Sequence, residues 1–83
     1  MRYAVVWEHH AMAEFRRLRV TDPIGAKATA AAVRALADDP RPQEGRALGA
    51  SGYHRLRVGT RRVLYRPEDD TVTVHVIKVG RSS

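Results

Sequence analysis

Arg55, Arg57, Arg62 and His75 are the residues of this 83-residue chain whose types and spacing suit chemistry on an anion. Arg55 and Arg57 are two apart, so in a strand they share a face. Gly59-Thr60 suits a two-residue hairpin turn with glycine first. That turn sets Arg57 opposite Arg62, Leu56 opposite Val63 and Arg55 opposite Leu64. A four-residue turn over residues 67–70 would set Tyr65 opposite Val72, Val63 opposite Val74 and Arg62 opposite His75. Arg57, Arg62 and His75 then form one row across three strands. Like charges placed opposite each other cost a few tenths to about 1 kcal/mol per pair, which a bound polyanion would offset. The row is therefore expected to cradle phosphate. Arginine can stabilise a developing negative charge but cannot release its proton at working pH. Positive neighbours disfavour an imidazolium, so His75 is expected to be neutral.

The elements that must position this row follow from periodicity. Residues 3–7 read as a short β-branched and aromatic strand. From His9 to about Leu18, Ala11, Phe15 and Leu18 fall at helical spacing with Met12 beside them. Asp22 and Pro23 suit the cap and first turn of a second helix, expected to reach about Ala37. Its inner face is read as Ile24, Ala28, Ala31 or Ala32, and Leu36. Residues 39–42 end it, and residues 45–52 read as a loop. Strands are expected over residues 53–58, 61–66 and 71–79. The order is β-α-α-β-β-β, an α+β fold in which an antiparallel-dominated twisted sheet packs on an N-terminal helical hairpin. Leu56, Val58, Val63, Tyr65, Val72, Val74 and Val76 are expected on its core face. Tyr53, Arg55, Arg57, Arg62, Arg66, Thr73 and His75 are expected on the other, with Leu64, Ile77 and Val79 among them.

Length and composition bound the rest. Eighty-three residues suit a single domain over 1–83. No apolar run approaches the ~18 residues of a membrane span. The start of the chain lacks the apolar core of a signal peptide. With no cysteine, disulfides and thiolate zinc sites are excluded, and a cytoplasmic location is expected. His9 and His10 are adjacent at a helix start, which is poor metal geometry, and no metal or cofactor is expected. The net charge of +6 calls for an anionic partner. Its carriers are almost all arginine, Lys27 and Lys78 being the only lysines.

The stretch from Tyr53 to Tyr65 resembles the central hairpin of the RelE/ParE toxin superfamily of type II toxin–antitoxin systems. The stretch Val72 to Arg81, ending Val-Gly-Arg, is similar to its last strand, and Glu8 to Leu18 to its first helix. The resemblance is to the RelE-like branch. It implies a ribosome-dependent mRNA endoribonuclease that cleaves in the ribosomal A site, without metal, by attack of the ribose 2′-hydroxyl on the adjacent phosphate. It implies catalytic roles for Arg55, Arg57, Arg62 and Arg81, and partners in the ribosome, mRNA and a cognate acidic antitoxin; Tyr53, Arg46, Arg61 and Arg66 are the expected RNA contacts.

Two departures bear on mechanism. Arg55 and Arg57 stand where RelE proteins often carry lysine, so neither can act as general base. The C-terminal tyrosine of many relatives has no counterpart up to Ser83, which makes His75 the expected substitute, with Glu44 as another candidate base. His54 falls on the core face. Leu64, Ile77 and Val79, an apolar strip among arginines, are the expected antitoxin contact. Two other functions are alternatives: a ParE-like inhibitor of DNA gyrase, against which Arg55, Arg57, Arg62 and His75 on one face argue because ParE-type members generally lack that basic constellation, and a non-catalytic module that binds RNA or the antitoxin.

Overall fold

The alternating half of the chain folds as one continuous sheet. The computed structural model describes residues 2–81. The strands are β1 (Ala4–Trp7), β2 (Gly45–Ala47), β3 (His54–Val58), β4 (Arg61–Glu68) and β5 (Thr73–Arg81), and the helices α1 (His9–Thr21) and α2 (Pro23–Ala35). The sheet order is β1-β5-β4-β3-β2. β1 is parallel to β5, and the other pairs are antiparallel. Residues 45–47, expected in a loop, instead pair with β3 as an edge strand. A three-residue strand has too few positions for its alternation to register.

The helices form a hairpin joined at Asp22 alone. Its backbone N–H donates to Leu18 O at the end of α1, and its side chain accepts from Gly25 N at 3.1 Å to cap α2. A Cβ on residue 25 would collide with that carboxylate, so glycine permits the cap. Ala11 and Leu18 of α1 and Ala26, Thr29 and Val33 of α2 are buried. Phe15 packs on this core and sits 5.0 Å from the Trp7 ring.

The expected inner face of α2 holds at Leu36 and, half-buried, at Ala32, and is corrected elsewhere. Ile24 is 83% exposed, Ala28 and Ala31 face outward, and the buried positions are Ala26, Thr29, Val33 and Leu36. Thr29 can lie in the core because its hydroxyl donates to Gly25 O at 2.8 Å.

The first hairpin has the expected register, with Arg57 opposite Arg62, Leu56 opposite Val63 and Arg55 opposite Leu64. Gly59 has φ of 60°, as the first position of such a turn requires. The second hairpin differs. β4 runs on to Glu68, the turn spans residues 69–72, and Val72 lies in it rather than opposite Tyr65. Tyr65 faces Val76, Arg66 faces His75, Arg62 faces Gly80 and Val63 faces Val79, with a bulge between Leu64 and Tyr65. The bulge spends one extra residue of β5, Ile77, and so inverts the face of everything after it. Val79 is therefore buried against the helices, not exposed on the basic face.

Candidate nucleic-acid interface

The sheet face away from the helices carries the site, and the cross-strand register fixes its layout. One row runs Arg46, Arg55, Leu64, Lys78 over β2, β3, β4 and β5. The next runs Arg57, Arg62, Gly80. Gly80 projects no side chain, which leaves a hollow beside Arg62. The resulting cleft of about 440 Å³ is lined by Leu48, Arg55, Arg62, Leu64, Lys78, Gly80 and Arg81. Four cations and no carboxylate line it. Two leucines make its apolar part, where electrostatic attraction is less screened than in open water.

Further along the sheet the charge reverses. His75 is opposite Arg66, four residues from Arg62 and about 13 Å along β4. Its Nδ1 lies 3.3 Å from Glu8 Oε2 and its Nε2 2.9 Å from Glu68 Oε2. Arg66 also reaches Glu68, at 3.6 Å. The expected row of Arg57, Arg62 and His75 is thus corrected: His75 is clamped between two carboxylates outside the cationic cleft. The carboxylates approach opposite ring nitrogens and do not converge on one point. Among the described residues no three His, Asp or Glu side chains could hold a metal ion.

The remaining candidates divide between the faces. Arg81 borders the cleft and also a second hollow of about 240 Å³ on the helix side, shared with Glu14, Arg17 and Arg61. Arg61 itself points to the helices, where Nη2 meets Asp22 Oδ2 at 3.2 Å. The Gly25 N–H first, and Arg61 second, hold the Asp22 carboxyl below its usual range. Arg57 and Glu44 border a third hollow at the β3 edge, with Leu36 and Leu56. Tyr53 precedes β3 and is exposed, its N–H bonded to Ser51 Oγ. His54 stacks on buried Tyr65 at 5.6 Å, and burial pushes its pKa down. Leu64 and Ile77 are half-buried, so without Val79 the expected apolar strip is reduced to these two, with Leu48 beside Leu64 in the cleft. Sequence reasoning missed Lys78, because the expected register turned it away from the arginines. The spare residue in β5 leaves no compositional mark by which it could have been found.

The family described as ParE toxin of type II toxin-antitoxin system, parDE, matches residues 5–83. The chain belongs to this family of toxins. Solved structures agree with the assignment. The toxin is similar to a chain of the RelBE2 toxin–antitoxin complex from Mycobacterium tuberculosis, at 27% identity and a TM-score of 0.81 over 98% of this chain and 99% of that one. It is similar to a free RelE from E. coli in which two arginines are replaced by alanine, at 25% identity and a TM-score of 0.80, over 100% and 86% of the two chains. A RelE–RelB complex from Pyrococcus horikoshii shares the fold at 18% identity and a TM-score of 0.81, over 100% and 98%. No curated protein sequence matches the chain. The toxin thus belongs to the RelE/ParE superfamily, whose M. tuberculosis member is solved in a toxin–antitoxin complex. Among the described residues, no helix is long and apolar enough to cross a membrane.

Proposed function

We propose that the toxin is an endoribonuclease that cleaves mRNA on the ribosome, with the cationic cleft holding the scissile phosphate. The observation that carries this reading is the convergence of Arg55, Arg62, Lys78 and Arg81 on one cleft without a carboxylate. Attack of a ribose 2′-hydroxyl on the adjacent phosphate builds a pentacoordinate phosphorane with extra negative charge. Guanidinium groups fixed around that position stabilise the transition state more than the ground state, and losing one such donor costs about 10²–10³ in rate. Arg55 and Arg62 lie on adjacent strands, held by a tight hairpin, and need little reorganisation to do this. The apolar patch of Leu48 and Leu64 within a ring of cations fits an acidic, amphipathic segment of the antitoxin, which would neutralise the toxin by covering the same cleft.

Inhibition of DNA gyrase is the second reading, favoured by the match to the ParE toxin family. One experiment separates the two. Purified toxin is incubated with programmed ribosomes and the mRNA 3′ ends are mapped. Cleavage within the A-site codon, leaving a 2′,3′-cyclic phosphate that Arg62→Ala abolishes, supports the ribonuclease. Intact mRNA together with loss of gyrase supercoiling supports the inhibitor.

A further inference from the structure

We propose that Lys78 is the proton donor to the leaving 5′-oxygen, a role that rests on the ribonuclease reading above. The cleft is bordered by three arginines, one lysine, two leucines and a glycine. Of these, only Lys78 can release a proton, since guanidinium stays protonated in any working range. His75 is removed from consideration by its distance and by its two carboxylate partners. Glu44 borders a different hollow.

Position supports the assignment as well as elimination. Lys78 and Arg55 flank Leu64 from the two neighbouring strands, so their Cα atoms stand about 10 Å apart. A phosphate seated over Leu64 lies within reach of both side chains and of Arg62 two residues along β4. The exposed four-carbon stem of Lys78 can bring Nζ to an oxygen on the β5 side of that phosphate, the side opposite Arg55. The nucleophile and leaving group of an in-line displacement must occupy opposite sides of the phosphorus.

The step balances without a co-reactant. The 2′-oxygen forms a bond to phosphorus and its proton passes to water. The P–O5′ bond breaks, its electron pair goes to O5′, and Nζ of Lys78 delivers the proton that makes the free 5′-hydroxyl. The resulting amine recovers a proton from solvent, so the enzyme is regenerated.

The test uses two mRNAs on programmed ribosomes, one ordinary and one with sulfur replacing the 5′-bridging oxygen at the scissile link. A thiolate leaves without protonation, so the second substrate needs no donor. Lys78→Arg keeps the charge and Lys78→Met removes it, and far-UV circular dichroism checks that both fold. Lys78→Arg is expected to cut the ordinary link about 10²-fold more slowly than the wild type, with ribosome binding unchanged. It is expected to cut the sulfur link at the wild-type rate. Unchanged cleavage of the ordinary link overturns the proposal and leaves the ribonuclease reading intact. Equal slowing on both links also overturns it, reducing Lys78 to a source of charge. A wild-type toxin that cuts neither substrate overturns both readings.

Discussion

Leu64 stands opposite Lys78, although the next residue of β4, Tyr65, stands opposite Val76. One step on β4 is therefore matched by two on β5, and Ile77 is the residue spent. This single insertion sends Lys78 into the cationic cleft and Val79 into the core. Val79→Ala is accordingly expected to destabilise the toxin by about 2 kcal/mol, the cost of emptying a packed aliphatic site. Ile24→Ala, at a position 83% exposed, should change stability by less than about 0.5 kcal/mol. Urea unfolding of the two variants checks the pair. Equal effects would mean that β5 has no bulge.

His75→Ala should leave cleavage of ribosome-bound mRNA at the wild-type rate. Both ring nitrogens are engaged by Glu8 and Glu68, and the ring is remote from Arg62. A loss of rate comparable with that of Arg62→Ala would restore His75 to the site.

The parts legible in the sequence are those a turn fixes locally. Gly59-Thr60 determines the first hairpin, and with it Arg55, Arg57 and Arg62 on one face. Asp22 and Pro23 mark the start of α2 by cap chemistry. The second hairpin was illegible because Pro67-Glu68-Asp69-Asp70 looks like a turn, yet Pro67 and Glu68 continue β4. Nothing local marks Ile77 as the spare residue either. The face of α2 before Ala32 was illegible for a different reason. Alanine occupies both its inner and outer positions, so the pattern is flat, and Ile24 outweighed the buried Val33.

Val72 has φ of 51°, a left-handed conformation that a β-branched side chain adopts only under strain. Its backbone is held there, since its carbonyl accepts from Ala4 N at 2.9 Å and its N–H donates to Asp69 O at 3.2 Å. Glycine adopts this conformation freely. Val72→Gly is expected to stabilise the toxin by about 1 kcal/mol, the lower end of the cost of such strain, because some side-chain burial is lost. A fall in the urea midpoint would refute this.

Stability should decline at both pH extremes through identifiable groups. Burial raises the Tyr65 pKa, and the hydrogen bond to Asp69 raises that of Tyr3. A group whose folded pKa is raised contributes its stability fully below its unfolded value, near 10, and loses it as pH rises through the folded one. Tyr65→Phe should therefore flatten the alkaline decline, leaving the part due to Tyr3. Its hydroxyl is buried with no hydrogen-bond partner among the described residues, so the phenylalanine should raise stability at neutral pH by about 1 kcal/mol, the desolvation cost it removes. The Asp69 carboxyl is held below its ordinary range by the hydrogen bond from Tyr3 and by Arg41, and Asp22 by Gly25 and Arg61. Their contribution is present above the unfolded value of 3.8 and lost as pH falls through the folded values. Asp69→Asn should flatten that acid limb, read as urea midpoint against pH.

The salt dependence of RNA binding distinguishes the two faces of the sheet. For single-stranded RNA, each phosphate contact contributes about 0.7 to the slope of log K against log salt. Arg55 and Arg62 border the cleft and face no carboxylate there. Alanine at either position should lower the slope by about 0.7 and weaken binding similarly for all sequences. Arg61 is one residue from Arg62 but on the opposite face, with its guanidinium already spent on Asp22. Arg61→Ala should leave the slope unchanged and instead lower thermal stability, because Asp22 keeps its helix cap but loses its cation. Filter binding across a salt series, paired with melting curves, reads both effects. If the slope responds to Arg61 as it does to Arg62, RNA is bound around the start of β4 and the end of β5 and not within the outer cleft.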